Sequence, residues 1–98
     1  MNVAYAPKGL VGVLTPQANT TVEPEFAILW PPGIASLNAR MTSDKPTIVA
    51  RLLDYLRDLP GAARQFANAP IGALAFACTG ASYYAGVAEE DALVARME

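Results

Sequence analysis

The sequence predicts an α/β domain: a parallel sheet with helices on both faces. Three observations predict it. Apolar runs of strand length alternate with segments of helical period, in the order strand, helix, strand, helix, strand, helix. That order belongs to parallel strands joined by crossovers. The run from Ile71 to Cys78 is apolar throughout, with Gly72 inside it, as in a central strand covered on both faces. Between Ile34 and Met41 the period is two, with Ala35, Leu37, Ala39 and Met41 set against Ser36, Asn38 and Arg40. One buried and one polar face place that strand at a sheet edge.

The elements follow in chain order. Leu10 to Leu14, closed by Thr15-Pro16, is a short buried strand. Gln17 to Thr21 is loop. Thr20 and Glu23 have the spacing of a capping box, with Glu23 and Glu25 in the first turn of a helix over about Thr21 to Leu29. Pro31-Pro32-Gly33 ends it, because a proline disfavours helical backbone at the residue before it. After the alternating strand, Ser43 or Asp44 caps a second helix with Pro46 in its first turn. Its apolar stripe runs through Ile48, Val49, Leu52, Leu53, Leu56 and Leu59. Pro60-Gly61 breaks it, and Ala62 to Ala67 adds a turn or two. Thr79-Gly80 is the turn after the third strand, and Glu89 to Met97 is a last helix.

The polar-faced second strand belongs at the edge and the apolar third strand beside the first. The spatial order is therefore 2-1-3, an incomplete flavodoxin-like arrangement of about three strands. Sheets of this kind bind ligands beyond the carboxyl ends of their strands, at the switch between strands 1 and 3. The loops Pro16 to Thr21 and Cys78 to Tyr84 both fall there.

Composition narrows the chemistry. The 98 residues fit one domain, and 53% are hydrophobic while 16% are charged. Average chains carry roughly 25% charged residues, so the apolar excess points to a surface covered by something else. Net charge is −2 and the seven Lys and Arg residues are scattered, which leaves no basic stripe for nucleic acid. Met1 to Lys8 is not a secretory leader, and no apolar run approaches the roughly 18 residues of a membrane span. One cysteine makes no internal disulfide, which fits a reducing cytoplasm. The chain contains no histidine, so it holds no Ser-His-Asp triad, no Cys-His dyad and no usual zinc site of its own. It has no phosphate-cradling or dinucleotide glycine motif either.

Cys78 is the candidate chemical centre. Free cysteine is also an ordinary core residue, but this one stands at the end of a strand, before a tight turn into a helix. Unpaired backbone N–H groups there stabilise a thiolate. In Thr79-Gly80-Ala81-Ser82 successive N–H groups can form an anion nest, or an ordinary Ser-capped turn. Asn19, Thr20 and Thr21 offer an amide and hydroxyls to a carboxylate, or simply cap a helix. Trp30 reads as a packing residue, and Tyr83 and Tyr84 as wall or core, or with one phenol facing a ligand.

Two segments resemble a known family. Gly12-Val13-Leu14-Thr15-Pro16-Gln17-Ala18-Asn19-Thr20-Thr21-Val22-Glu23 looks like the opening of maleate cis-trans isomerases, an apolar strand followed by Pro-x-x-Asn-Thr-Thr and a glutamate. Ala77-Cys78-Thr79-Gly80-Ala81-Ser82-Tyr83-Tyr84-Ala85-Gly86 is similar to their Cys-Thr-Ser segment and to the matching stretch of arylmalonate decarboxylases. Both groups belong to the aspartate/glutamate racemase superfamily. The resemblance implies that Cys78 is a catalytic cysteine, that Asn19 binds a substrate carboxylate, and that Thr79 lines the carboxylate pocket; Gly80, Thr20 and Ser82 join them as substrate-binding candidates from the nest and hydroxyl readings above. It implies cofactor-independent isomerase or racemase chemistry on a small carboxylate. At Gly80 the sequence departs from both groups, where serine is usual.

Members of that superfamily are more than twice this long, with a second half-domain carrying a second cysteine. The expectation is therefore that residues 1–98 are a partial N-terminal half-domain. Such a chain would associate with itself or with a second half-domain, and would turn nothing over alone. Alternatives are a non-catalytic α/β domain that binds a carboxylate or a partner chain, and a decarboxylase-like lyase.

Overall fold

The computed structural model describes residues 3–97, apart from the side chains of Ser82, Tyr84, Ala85, Val87 and Glu90. Its elements are β1 (Gly9–Pro16), α1 (Val22–Leu29), β2 (Ile34–Met41), α2 (Ile48–Arg57), α3 (Leu59–Ala63), a 3₁₀ turn (Arg64–Phe66), β3 (Ala73–Phe76), α4 (Thr79–Ala85) and α5 (Val87–Met97). The described strands form one parallel sheet in the order β2-β1-β3. The chain is thus α/β with an open parallel sheet flanked by helices, as an incomplete flavodoxin-like fold requires.

Register decides what each face carries. Leu14 stands opposite Ala39 on β2 and Phe76 on β3, and Pro16 opposite Met41. These positions point to one face, where Leu14, Ala39 and Met41 join Tyr55, Leu56, Leu59, Phe66, Cys78, Ala81 and Leu93 in a single buried cluster. The apolar stripe of α2 serves this face from Leu52 onward, while Ile48 and Val49 at its start remain exposed. The stripe continues into α3 through Leu59, past a break at Asp58 that precedes Pro60.

The other face is covered at its centre, where Val13 and Thr15 have no exposure, and thinly at its margins. α1 reaches it through the Glu23–Arg40 ion pair and through Trp30, whose indole Nε1 donates to Ser36 Oγ at 3.2 Å. Trp30 also stacks on Phe26, with ring centroids 4.8 Å apart, so it packs as its sequence context suggested. Yet every residue of α1 keeps some exposure, and Ile28 and Leu29 are 82% and 72% exposed. Gly33 turns the chain from α1 into β2 at φ +92, a conformation that L side chains avoid.

Several expectations are corrected. The first helix is not capped by a Thr20–Glu23 box. Asn19 Oδ1 accepts from the Thr21 and Val22 amides, both at 2.9 Å, and Glu23 is drawn away to Arg40. Ser43 and Asp44 do not cap α2; Thr47 does, its Oγ1 accepting from Ala50 N at 3.3 Å. Pro46 keeps Lys45 from helical backbone, so the helix starts only after it. The alternation on β2 holds at Ala39, Arg40 and Met41, but Leu37 is exposed. The third strand is four residues rather than eight, and it is an edge, not a covered centre. Its backbone is tied to β1 from Gly72 N–Leu10 O (2.8 Å) to Ala77 N–Leu14 O (2.9 Å), while Leu74 is 39% exposed. A run apolar on both faces is buried on both only when a further layer and a further strand cover it. Finally, Thr79 and Gly80 are the first residues of α4 rather than a separate turn.

Candidate functional site

The candidate site lies at the carboxyl ends of β1 and β3, which the sheet order makes neighbours. Leu14 and Phe76 are the last registered pair, so Pro16 and Cys78 follow two residues later on adjacent strands. The β1–α1 loop and the start of α4 therefore leave the sheet side by side.

The β1–α1 loop is held from several sides. Asn19 N donates back to Pro16 O at 3.1 Å, closing a tight turn. Gln17 Oε1 accepts from Ser43 N at 2.6 Å. Arg40, at the end of β2, donates Nη1 to the carbonyls of Pro16 (3.0 Å) and Asn19 (2.7 Å), and its Nη2 pairs with Glu23. A single guanidinium thus fixes the loop and the first turn of α1 together. Sequence reasoning missed Arg40, which reads as one polar position of an alternating strand. Its place opposite Thr15 in the register is what brings it to the loop.

The sequence-predicted residues fall as follows. Cys78 immediately precedes α4, and its side chain is 9% exposed, inside the apolar cluster of Leu14, Met41 and Leu56. Asn19 is partly buried with its carboxamide oxygen committed to capping α1, which leaves its amide nitrogen as the group available to a ligand. Thr20 and Thr79 are exposed. Gly80 is partly buried against Leu52. The Ser82 side chain lies outside the described residues. The structure therefore brings Asn19, Thr20, Cys78, Thr79 and Gly80 to one end of the sheet, while the thiol itself packs inward.

Gly80 is not required by the backbone. A β-carbon there would stand 3.4 Å from Leu52 Cδ1, an ordinary contact. Glycine inside a helix costs about 0.5–1 kcal/mol relative to alanine. Gly80→Ala is expected to raise stability by about 0.5 kcal/mol in a urea melt; a loss of stability would show that α4 does not start where described.

A second polar cluster joins β2 to α2. Asp54 Oδ2 accepts from Ser43 Oγ at 2.7 Å and from Lys45 Nζ at 2.9 Å. The hydrogen bond from Lys45, then that from Ser43, holds the Asp54 carboxyl below its ordinary 3.8. The hydrogen bond and charge of Asp54 raise the Lys45 ammonium above 10.5. A lowered carboxyl contributes stability above its unfolded value and loses it as pH falls through the folded one. A raised ammonium contributes below its unfolded value and loses it as pH rises through the folded one. Melting temperature should therefore fall below about pH 4 and again above about pH 10.5, and Asp54→Asn should flatten both limbs. Limbs unchanged in that variant would assign the pH dependence elsewhere.

Among the described residues no group of three or more His, Cys, Asp and Glu is placed to hold a metal ion, and no helix is long and apolar enough to cross a membrane. Comparison with models of protein families, with curated proteins and with solved structures finds no match for this chain.

Proposed function

We propose that the end of the sheet at β1 and β3 binds a small carboxylate or dicarboxylate, with Cys78 as the group that transfers a proton next to it or adds to its double bond. One observation carries the reading: the order β2-β1-β3 sets the Asn19 loop and the Cys78-Thr79-Gly80 segment on adjacent parallel strands, at the position where such sheets take ligands. The backbone amides of Thr79 and Gly80 open α4 and suit a carboxylate oxygen. The Asn19 amide nitrogen suits a second one, with the Thr20 hydroxyl beside it. In this reading Cys78 needs no metal or organic cofactor, and its thiolate acts in a water-poor setting once the site is closed. The resemblance to maleate isomerases points the same way, as does one unpaired cysteine suited to a reducing cytoplasm.

A non-catalytic carboxylate-binding domain is the second reading. The 9% exposure of Cys78 within the apolar cluster favours it. In either case the uncovered edge of β3 is where a second copy or a further half-domain would add.

Alkylation separates the two. The catalytic reading expects Cys78 to react with iodoacetamide at neutral pH well faster than a model thiol, and maleate or succinate to protect it. Protection without enhanced reactivity would leave only the binding reading. Sluggish alkylation with no diacid effect would overturn both.

A further inference from the structure

We infer that the cleft at the carboxyl end of β2 is a binding site for a small primary ammonium compound. The cleft encloses about 250 Å³ and is lined by Arg40, Met41, Thr42, Tyr55, Asp58 and Gln65, with Gly61 and Ala62 beside them. It lies between the end of β2 and the α2–α3 break, and it uses none of Cys78, Thr79 or Asn19. The inference is therefore independent of the carboxylate reading.

Three acceptors meet there, each available for a stated reason. Tyr55 is only 5% exposed, yet its hydroxyl has no hydrogen-bond partner among the described residues. Within the same set no fully buried side-chain oxygen or nitrogen lacks a partner. Tyr55 lines the cleft, which is the open space available to that hydroxyl. A polar group left this way on a buried ring gains from a ligand that satisfies it. Gln65 donates its Nε2 to the Arg40 carbonyl at 2.9 Å, which leaves its Oε1 as an acceptor. Asp58, at the break between α2 and α3, is exposed and pairs with no cation among the described residues.

Two of the nearby cations are already committed. The Arg40 guanidinium is turned to Pro16, Asn19 and Glu23. Lys45 is held by Asp54 at 2.9 Å. Beyond Thr42 and Asp58 the cleft opens into a shallow depression of about 670 Å³ that also carries Asp44 and Asp54. Across the two hollows the carboxylates of Asp44, Asp54 and Asp58 outnumber the cations of Arg40 and Lys45, which favours a cation over an anion.

Chemistry then selects among cations. An ammonium group has three N–H donors and no acceptor, and three acceptors line the cleft. Hydrogen bonds between charged partners are roughly twice as strong as neutral ones. A lone carboxylate with a phenol and an amide is a poor set for a divalent metal, which takes several oxygens in fixed geometry. The volume falls below the roughly 300–1,000 Å³ of pockets for drug-sized ligands. A short alkylamine or the amino group of a small metabolite fits; a nucleotide does not.

The test is a titration of the ¹⁵N-labelled chain with n-butylammonium chloride at constant ionic strength, followed by amide chemical shifts. The expected result is saturable shifts at Thr42, Tyr55, Asp58 and Gln65 with Kd on the order of 1 mM. n-Butanol, of the same shape but uncharged, should move none of them. Asp58→Asn should weaken binding about tenfold or more, and Tyr55→Phe about threefold. Both variants should keep the fold, because the Asp58 side chain makes no capping hydrogen bond and Phe keeps the buried ring. Mg²⁺ in place of the amine should leave the four residues unmoved. Equal shifts with butanol, unchanged affinity in Asp58→Asn, shifts mapped elsewhere, or no shifts at all would each overturn the assignment.

Discussion

Leu14→Ala is expected to remove about 3 kcal/mol of stability, with a midpoint in urea lowered accordingly and an unchanged m-value. Leu14 has no solvent exposure and stands at the centre of the sheet, between Ala39 and Phe76 in register. Removing three carbon atoms loses their transfer free energy and leaves a cavity. The walls cannot readily close that cavity, because the backbone of β1 is bonded to strands on both sides. Domains of this size have a total stability of about 5–15 kcal/mol, and a sheet thinly covered at its margins belongs at the lower end. The variant should therefore be partly unfolded at moderate temperature. Leu29→Ala is the control: at 72% exposure it should stay within about 0.5 kcal/mol of the parent. A cost below about 1 kcal/mol for Leu14→Ala would mean that the cluster is not packed as described.

Arg40→Ala should release the β1–α1 loop at a cost of about 1–2 kcal/mol. The guanidinium donates to two carbonyls and to one carboxylate at once. Hydrogen bonds to a charged group contribute about 1.5–3 kcal/mol each when shielded. Arg40 and Glu23 keep side-chain exposures of 38% and 41%, so water takes back much of that. The effect should be local as well as global. Amide exchange at Thr21 and Val22, which bond to Asn19, should accelerate more than exchange in α2. Arg40→Lys should rescue little, because a point charge cannot reach three acceptors as a planar fork does. Glu23→Gln should cost less than Arg40→Ala, since the two carbonyl contacts survive. Full rescue by lysine would show that charge alone, not the fork, holds the loop.

The order of elements was legible because it rests on local features. Period-two spacing in Ile34 to Met41, helical spacing from Leu52 to Leu59 and the Pro31-Pro32-Gly33 stop are all contained within a few residues. The 2-1-3 order was legible too, since only one of the later strands has a polar face. Ser43 and Asp44 could have been set aside as caps of α2 from Pro46, which disfavours helical backbone at Lys45, but the choice of Thr47 could not be read from it. The role of Asn19 could not be read either, because Thr20–Glu23 satisfies the same local pattern and loses only when Arg40 draws Glu23 away.

By itself, then, the sequence determined the types and order of the main elements as far as β3, the parallel sheet and the meeting of two loops at its carboxyl end. Each follows from propensity, periodicity and the few ways that crossovers can close. Tertiary structure alone decided which apolar residues are buried, since β3 is bare at its edge and Ile28 and Leu29 face out while Cys78 is packed in. It also decided that Arg40 clamps a loop some twenty residues before it, and that Tyr55, Asp58 and Gln65 share a cleft. Burial and long-range pairing depend on what stands opposite a residue in space. A pattern of hydrophobicity along the chain records what a face could bury, and not whether anything covers it.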